Sequence, residues 1–317
     1  MRWESERSGR SAARGCTGTQ AGGGGGEAGE TEHTVAASPA KEIGGGLYGR
    51  SAVLLVVDVG NTNTVLGAMV DGEVRERWRV STATRTTDEM GLLLLQLLKH
   101  RGIAPEHVRG VIVSNVVPSV LYTIEKASRN YLGCPCMVVG RGMKTGMRVR
   151  TDNPREVGAD RIVNAVAAWE RFKSPLVVVD FGTATTFDCV DHHGDYVGGV
   201  IAPGFGISAD ALFERTAKLP RVEVERPDRA IGTNTIASMQ SGLFFGYVGL
   251  VDGLALRCKL ELAEAAGLPG PEGIRCIATG GLANLVGSAC DEVHAVENDL
   301  TLEGLWMLWV ANQPRAR

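Results

Sequence analysis

From Ala52 onward the chain alternates short, unbroken apolar runs with longer amphipathic stretches. Val53-Leu54-Leu55-Val56-Val57 is apolar throughout and mostly β-branched, the pattern of a strand buried on both faces, and it ends at Asp58. Val65 to Val70 and Val74 to Val80 predict two further strands joined by an Asp71-Gly72 turn. Asp88 to His100 has helical periodicity behind a Thr/Asp start signal. Val111 to Ser114 predicts another short strand, and Pro118 opens a helix in the first turn, where its missing N–H is tolerated. Arg155 to Phe172 is amphipathic and predicts a helix, and Leu176 to Val179 a buried strand. The densest apolar run, Leu92 to Leu98, is broken by Gln96 and falls short of the ~18–20 residues a membrane span needs.

One pattern occurs twice. Val56-Val57-Asp58-Val59-Gly60-Asn61-Thr62 precedes a turn at Gly72, and Val178-Val179-Asp180-Phe181-Gly182-Thr183-Ala184 precedes one at Gly194. Each Asp stands fourteen residues before its turn glycine. An apolar strand ending in Asp-x-Gly and followed by a hairpin, repeated at matched spacing, points to a duplicated α/β domain.

Residues 1–51 have a different texture. Glycine runs at Gly22–Gly26 and Gly44–Gly46 lie among Ser, Thr, Glu and Arg, and such a stretch buries too little apolar surface to offset its ordering entropy. It is expected to be a disordered extension, with a mis-assigned start as the alternative. Glu4, Glu6, Glu27, Glu30 and Glu32 make it too acidic for an organellar transit peptide. The expected division is then 1–51 as the extension, 52–153 as the first α/β domain and 154–313 as the second. The 317 residues carry a net charge of −3, so no broad basic field draws nucleic acid or anionic lipid. Seven scattered cysteines, of which only Cys134 and Cys136 are close, argue for free thiols in a reducing compartment rather than a zinc site. With no signal-peptide core, a cytoplasmic location is expected.

The chemistry concentrates in the repeated loops. A buried strand delivers Asp58 to its C-terminal edge, where α/β sheets place ligands. Gly60 allows close backbone approach, and Asn61, Thr62 and Thr64 add donors suited to phosphate oxygens. A carboxylate beside phosphate makes sense with Mg²⁺ between them. Asp180, Gly182 and Thr183 repeat the arrangement, and two such loops facing across a cleft would grip a polyphosphate. A Walker phosphate loop is absent, and no G-x-G-x-x-G follows an apolar strand and opens a helix as the dinucleotide fingerprint does. A second cluster, Asp152 to Arg161, stands at a helix start. It reads either as charges complementing the helix dipole or as a site in which Gly158-Ala159 opens a face toward Asp160. Gly280-Gly281, after an apolar strand and before an expected helix, either admits a flat ring or packs strand tightly on helix.

Together Asp58-Val-Gly-Asn-Thr62, Gly158-Ala-Asp-Arg161, Asp180-Phe-Gly-Thr183 and Asn234 to Gly242 resemble the motifs of type III pantothenate kinase, also called the Bvg accessory factor family, in the same order and over about Leu54 to Asn312. The resemblance implies two duplicated ribonuclease-H-like domains of the actin, Hsp70 and sugar-kinase type around a central cleft. It implies phosphoryl transfer from ATP to pantothenate, the first step of coenzyme A synthesis, by a homodimer that needs Mg²⁺ and K⁺ or NH₄⁺.

By position, the resemblance makes Asp58, Val59, Gly60, Asn61, Thr62, Asn63, Thr64 and Val65 the first phosphate loop, with Thr183 a further ATP contact. Asp160 becomes the proton acceptor, and Gly158, Ala159, Asp160 and Arg161 line the pantothenate pocket, with Arg161 suited to the carboxylate. Asp180 would hold K⁺ or NH₄⁺, and Thr235 would contact pantothenate near the subunit interface, for which the helical stretch Thr235 to Ala265 is apolar enough. One position departs from the family: Thr151 stands where many members carry a pantothenate-contacting Tyr. The alternatives are a kinase of the same superfamily with another hydroxylated acceptor, and a transcriptional accessory protein of the same family.

Overall fold

The computed structural model describes residues 52–314, so the expectation for residues 1–51 lies outside the described part. The first apolar run forms β1 (Val53–Val59). Its odd-numbered residues Val53, Leu55, Val57 and Val59 enter one hydrophobic cluster, while Leu54 and Val56 enter another on the opposite face. That is the two-residue period of a strand covered on both sides, and it explains why no polar alternation interrupts the run. β2 (Asn63–Val70) and β3 (Glu73–Ser81) form an antiparallel hairpin whose turn residues Asp71 and Gly72 both have positive φ, 52° and 88°. α1 (Thr87–His100) starts behind a capping box: the Glu89 N–H donates to the Thr86 hydroxyl, and the Thr86 N–H to the Glu89 carboxylate. α2 (Pro118–Ala127) separates β4 (Val108–Asn115) from β5 (Cys136–Val138), and the sheet order is β3-β2-β1-β4-β5.

After α3 (Ala159–Phe172) come β6 (Leu176–Phe181), β7 (Ala184–Val190), β8 (Tyr196–Pro203), α4 (Phe205–Glu214) and α5 (Thr235–Ala265). β9 (Arg275–Gly280), β10 (Ala295–Val296) and α6 (Leu300–Ala311) complete the chain. The second sheet has the order β10-β9-β6-β7-β8. Counted outward from its first strand, it repeats the first sheet: two antiparallel partners on one side, two parallel on the other. The fold is α/β and duplicated, as the repeated Asp-x-Gly strands imply.

Helices α3 and α6 fill the layer between the sheets. Ile162, Val163, Val166, Leu302, Leu305 and Leu308 share a single core cluster with Leu54 and Val56 of β1 and with Leu176 and Val178 of β6. Each such burial contributes about 1.5–3 kcal/mol, so this layer is what fastens one sheet to the other. α1 and α2 cover the far face of the first sheet, and α5 covers that of the second. No described helix is long and apolar enough to cross a membrane.

Two expected helix boundaries are corrected. The helix expected from Arg155 begins at Ala159, because Asn153 stabilises a turn instead: its side-chain oxygen accepts from the Arg155 N–H at 3.3 Å, and its amide donates to Glu156 at 2.6 Å. The segment after β9 runs through turns and the single 3₁₀ turn Gly287–Ala289, not the helix expected there.

Gly304 sets the spacing of the central layer. A Cβ there would stand 2.5 Å from the Val163 carbonyl oxygen and 2.7 Å from its Cγ1. Gly304→Val is expected to overpack this contact by about 1–3 kcal/mol and lower Tm by roughly 5 °C. A melting curve superimposable on wild type would show that α3 and α6 are not held at this spacing by Gly304.

Candidate active site

The strand period places two of the carboxylates. Asp58 continues the inward-facing series of Leu54 and Val56, and Asp180 continues that of Leu176 and Val178. Both therefore face the layer that holds α3. Each is also opposite a hydroxyl on the parallel neighbour strand: Asp58 pairs in register with Ser114 and Asp180 with Thr279. The third carboxylate, Asp160, lies in the first turn of α3 and accepts the Arg161 N–H at 2.9 Å. One turn on, the Asn164 amide donates to Asp180 at 2.9 Å, and its oxygen accepts from the Thr301 hydroxyl of α6 at 2.7 Å. Asn164 was not among the residues the sequence singled out, although its i+4 relation to Asp160 puts both on one helix face.

The two loops touch. The Thr62 and Thr183 hydroxyls are hydrogen-bonded at 2.8 Å. The first loop is braced from β3 and its extension: the Thr82 hydroxyl donates to the Gly60 carbonyl at 2.7 Å, and the Thr82 N–H to the Thr62 carbonyl at 2.9 Å. A cavity of about 520 Å³ opens over the loops. Asp58, Gly60, Asn61, Thr62, Asn63 and Val65 line it from the first half, and Asp160, Asp180, Gly182 and Thr183 from the second. Val59 points into the opposite core, and the Thr64 hydroxyl is bonded to Thr82 at 2.9 Å instead. Gly280 approaches Asp180 so closely, at a φ of 94°, that a Cβ would meet the carboxylate, which favours the close-packing reading of Gly280-Gly281.

The remaining expected residues are placed differently. Gly158 caps α3, and Ala159 begins it. Arg161 turns toward β7, where Nε donates to buried Asp188 at 2.6 Å and Nη2 to the Phe187 carbonyl at 3.3 Å. Asp188 also accepts from the Tyr196 hydroxyl at 2.9 Å. A pair this distant in sequence leaves no local signal. Thr235 stands apart from the central cavity, in a second one of about 630 Å³ with the capping residue Asn234, with Ser238 and Gly242 of α5 and with Leu212 of α4. The Thr151 hydroxyl is buried without a hydrogen-bond partner among the described residues.

The charges define what the cavity can hold. Burial, and then the charges of Asp160 and Asp180, push Asp58 up to about 7, with the Ser114 hydroxyl pulling the other way. Burial, then Asp160 and Asp188, push Asp180 up to about 7. Burial also raises Asp160, opposed by the hydrogen bond and charge of Arg161. Carboxylates crowded out of water in this way call for a cation. Among the described residues no three His, Cys, Asp or Glu converge on one metal position. A hard cation here would take one or two carboxylates and complete its shell with phosphate and water oxygens, as Mg²⁺ does.

A family model for type III pantothenate kinase matches residues 54–257. The type III pantothenate kinase of Myxococcus xanthus (strain DK1622) is 52% identical over 261 residues, covering 82% of this chain and 99% of that protein. That of Geobacter sulfurreducens (strain ATCC 51573 / DSM 12127 / PCA) is 52% identical over 264 residues, covering 82% and 100%. Among solved structures, a conserved Baf family protein from Campylobacter jejuni matches with a TM-score of 0.50 and 17% identity over 81% of this chain and 98% of that one, a likeness of fold alone. By the matched model and by its identity to these relatives along nearly their whole length, the chain belongs to the type III pantothenate kinase family.

Proposed function

We propose that this chain transfers the γ-phosphoryl group of ATP to the primary hydroxyl of pantothenate, giving 4′-phosphopantothenate, and that the three cleft carboxylates divide the work. The observation that carries this reading is the convergence of Asp58, Asp160 and Asp180 on one cavity whose two loops meet at Thr62 and Thr183. The triphosphate lies on the loop from Asp58 to Val65, with donors from Asn61, Thr62 and Asn63 and from Thr183 opposite, while the Gly60 N–H holds the turn by donating to the Asn63 carbonyl at 3.0 Å. Asp160 takes the proton of the attacking hydroxyl as its oxygen bonds to the γ-phosphorus and the bond to ADP breaks. Burial lifts Asp160 toward the pH at which a general base is most effective. Gly158, Ala159 and Arg161 flank the acceptor. Arg161 offers its carboxylate the Nη1 left over once Nε and Nη2 bond Asp188 and Phe187. Mg²⁺ against Asp58 and K⁺ or NH₄⁺ against Asp180 supply positive charge that offsets the phosphates when bound. The family assignment and the intact acidic loops favour this kinase over a transcriptional accessory protein.

The working unit is a cytoplasmic homodimer joined along α5. Gly242, Gly246, Gly249 and Gly253 have open space where a Cβ would stand, and they lie with exposed Phe245, Leu256 and Leu260. A second copy packed on this stripe would cover the cavity beside Thr235 and bring that residue to pantothenate at the interface.

Asp160→Asn is expected to bind ATP as wild type does and to lower kcat by at least ~100-fold. A turnover near wild type in pantothenate-dependent ADP release would remove Asp160 from the role. A carboxyl raised from 3.8 to about 7 on folding contributes stability that is complete below 3.8 and lost as pH climbs through about 7. K⁺ and Mg²⁺ should therefore raise Tm more at pH 8 than at pH 5. Asp180→Asn should melt higher than cation-free wild type at pH 8, by about 2–4 °C per kcal/mol gained, and be inactive. Melting curves with equal cation effects at both pH values would contradict this account. Light scattering should give twice the 33.6 kDa chain mass, and Gly249→Glu, a change with open space around it, should give a monomer with reduced turnover.

A further inference from the structure

We infer that Arg79 is a cationic clamp on the terminal phosphates of the nucleotide, reaching across the cleft from β3 to the loop after β9. The inference rests on the ATP site proposed above and adds to it a residue outside every recognised motif. Along β3, Trp78 enters the core while Arg77 and Arg79 take the other face, and both arginines line the central cavity. Antiparallel register sets Arg79 opposite Val65, where the first phosphate loop ends. Its guanidinium extends to the other half of the molecule. Nη1 lies 3.1 Å, and Nη2 3.5 Å, from the point where a Cβ of Gly281 would stand. Glycine at 281 thus leaves the room the guanidinium occupies.

Charge separates the two arginines. Arg77 donates to Asp299 at 3.0 Å and is neutralised there. Arg79 has no hydrogen-bond or ion-pair partner among the described residues, although Asp58, Asp160, Asp180 and Asp210 line the same cavity. It is the uncommitted cation among the described residues of an acidic cleft. A nucleotide triphosphate entering that cleft brings more negative charge, which the carboxylates oppose and backbone N–H groups offset only in part. A guanidinium presents a planar fork of donors matched to two phosphate oxygens, and charge-assisted bonds of this kind are the stronger ones. Placed over the loop after β9 and beside the end of the first loop, Arg79 would contact oxygens beyond the α-phosphate and hold the two halves together around them.

The test compares wild type with Arg79→Ala, Arg79→Lys and Arg75→Ala, the last a surface arginine paired with Glu73 and outside the cavity. Calorimetric titration with ATP, ADP and AMP is paired with steady-state kinetics. Arg79→Ala is expected to weaken ATP binding about 10- to 100-fold and AMP binding little, with an unchanged KM for pantothenate. Arg79→Lys should fall between, since it keeps the charge and loses the fork, and Arg75→Ala should match wild type. Wild-type ATP affinity in Arg79→Ala would overturn the inference, and so would an equal loss for ATP and AMP, which would mark a contact to base or ribose. The titrations decide the role of Arg79 whatever the acceptor: a wild-type enzyme that binds ATP but leaves pantothenate unphosphorylated would refute the proposed reaction alone.

Discussion

Withdrawing Asp58, Asp160 and Asp180 from water into one cleft is the constraint around which the molecule is arranged. Burial raises all three, neighbouring carboxylate charges add to it at Asp58 and Asp180, and those two are pushed up to about 7. The surrounding structure holds them there regardless. Asp58 and Asp180 are fixed by strands buried on both faces, and Asp160 by a helix packed between the sheets. Asn164 adds a neutral brace, joining Asp180 to Thr301 of the last helix through a single amide. A cation entering this cleft would offset the cost of keeping the carboxylates ionised there.

Duplication gives the site its two-sided form. The same strand, ending in Asp-x-Gly, is used twice, and each copy sets its carboxylate opposite a hydroxyl on the parallel neighbour. The loops differ in what they carry: the first holds Asn61, Thr62 and Asn63 over the cavity, while the second offers Gly182 and Thr183. A symmetric frame thereby presents one longer and one shorter loop to the same cavity.

Much of this was legible in the amino-acid pattern, for identifiable reasons. β1 and β6 announce themselves because strands covered on both faces must be apolar throughout, and the equal spacing to Gly72 and Gly194 exposes the repeat. Other features left no local trace. α6 is apolar on most sides, since it packs on both the first sheet and α3, so it shows no helical period. The start of α3 is hidden because the side chain of Asn153 favours a turn over a first helical turn. Arg161 was assigned to the ligand, yet two of its nitrogens serve Asp188 and Phe187, a partnership visible only in three dimensions. Arg79 sits in a strand of alternating charge that looks like a solvated edge until the opposite sheet is seen beside it.

The placement of α6 has a consequence for how the chain is made. Leu54, Val56 and Met69 belong to the earliest of the described strands, yet the cluster that buries them also includes Leu302, Leu305 and Leu308. At a synthesis rate of about 5–20 residues per second, the nascent first half waits on the order of ten seconds or longer for the helix that seals it. Throughout that interval it shows an unsealed apolar sheet face to the cell. A chain cut short before Leu300 would carry that face permanently without the cover of α6.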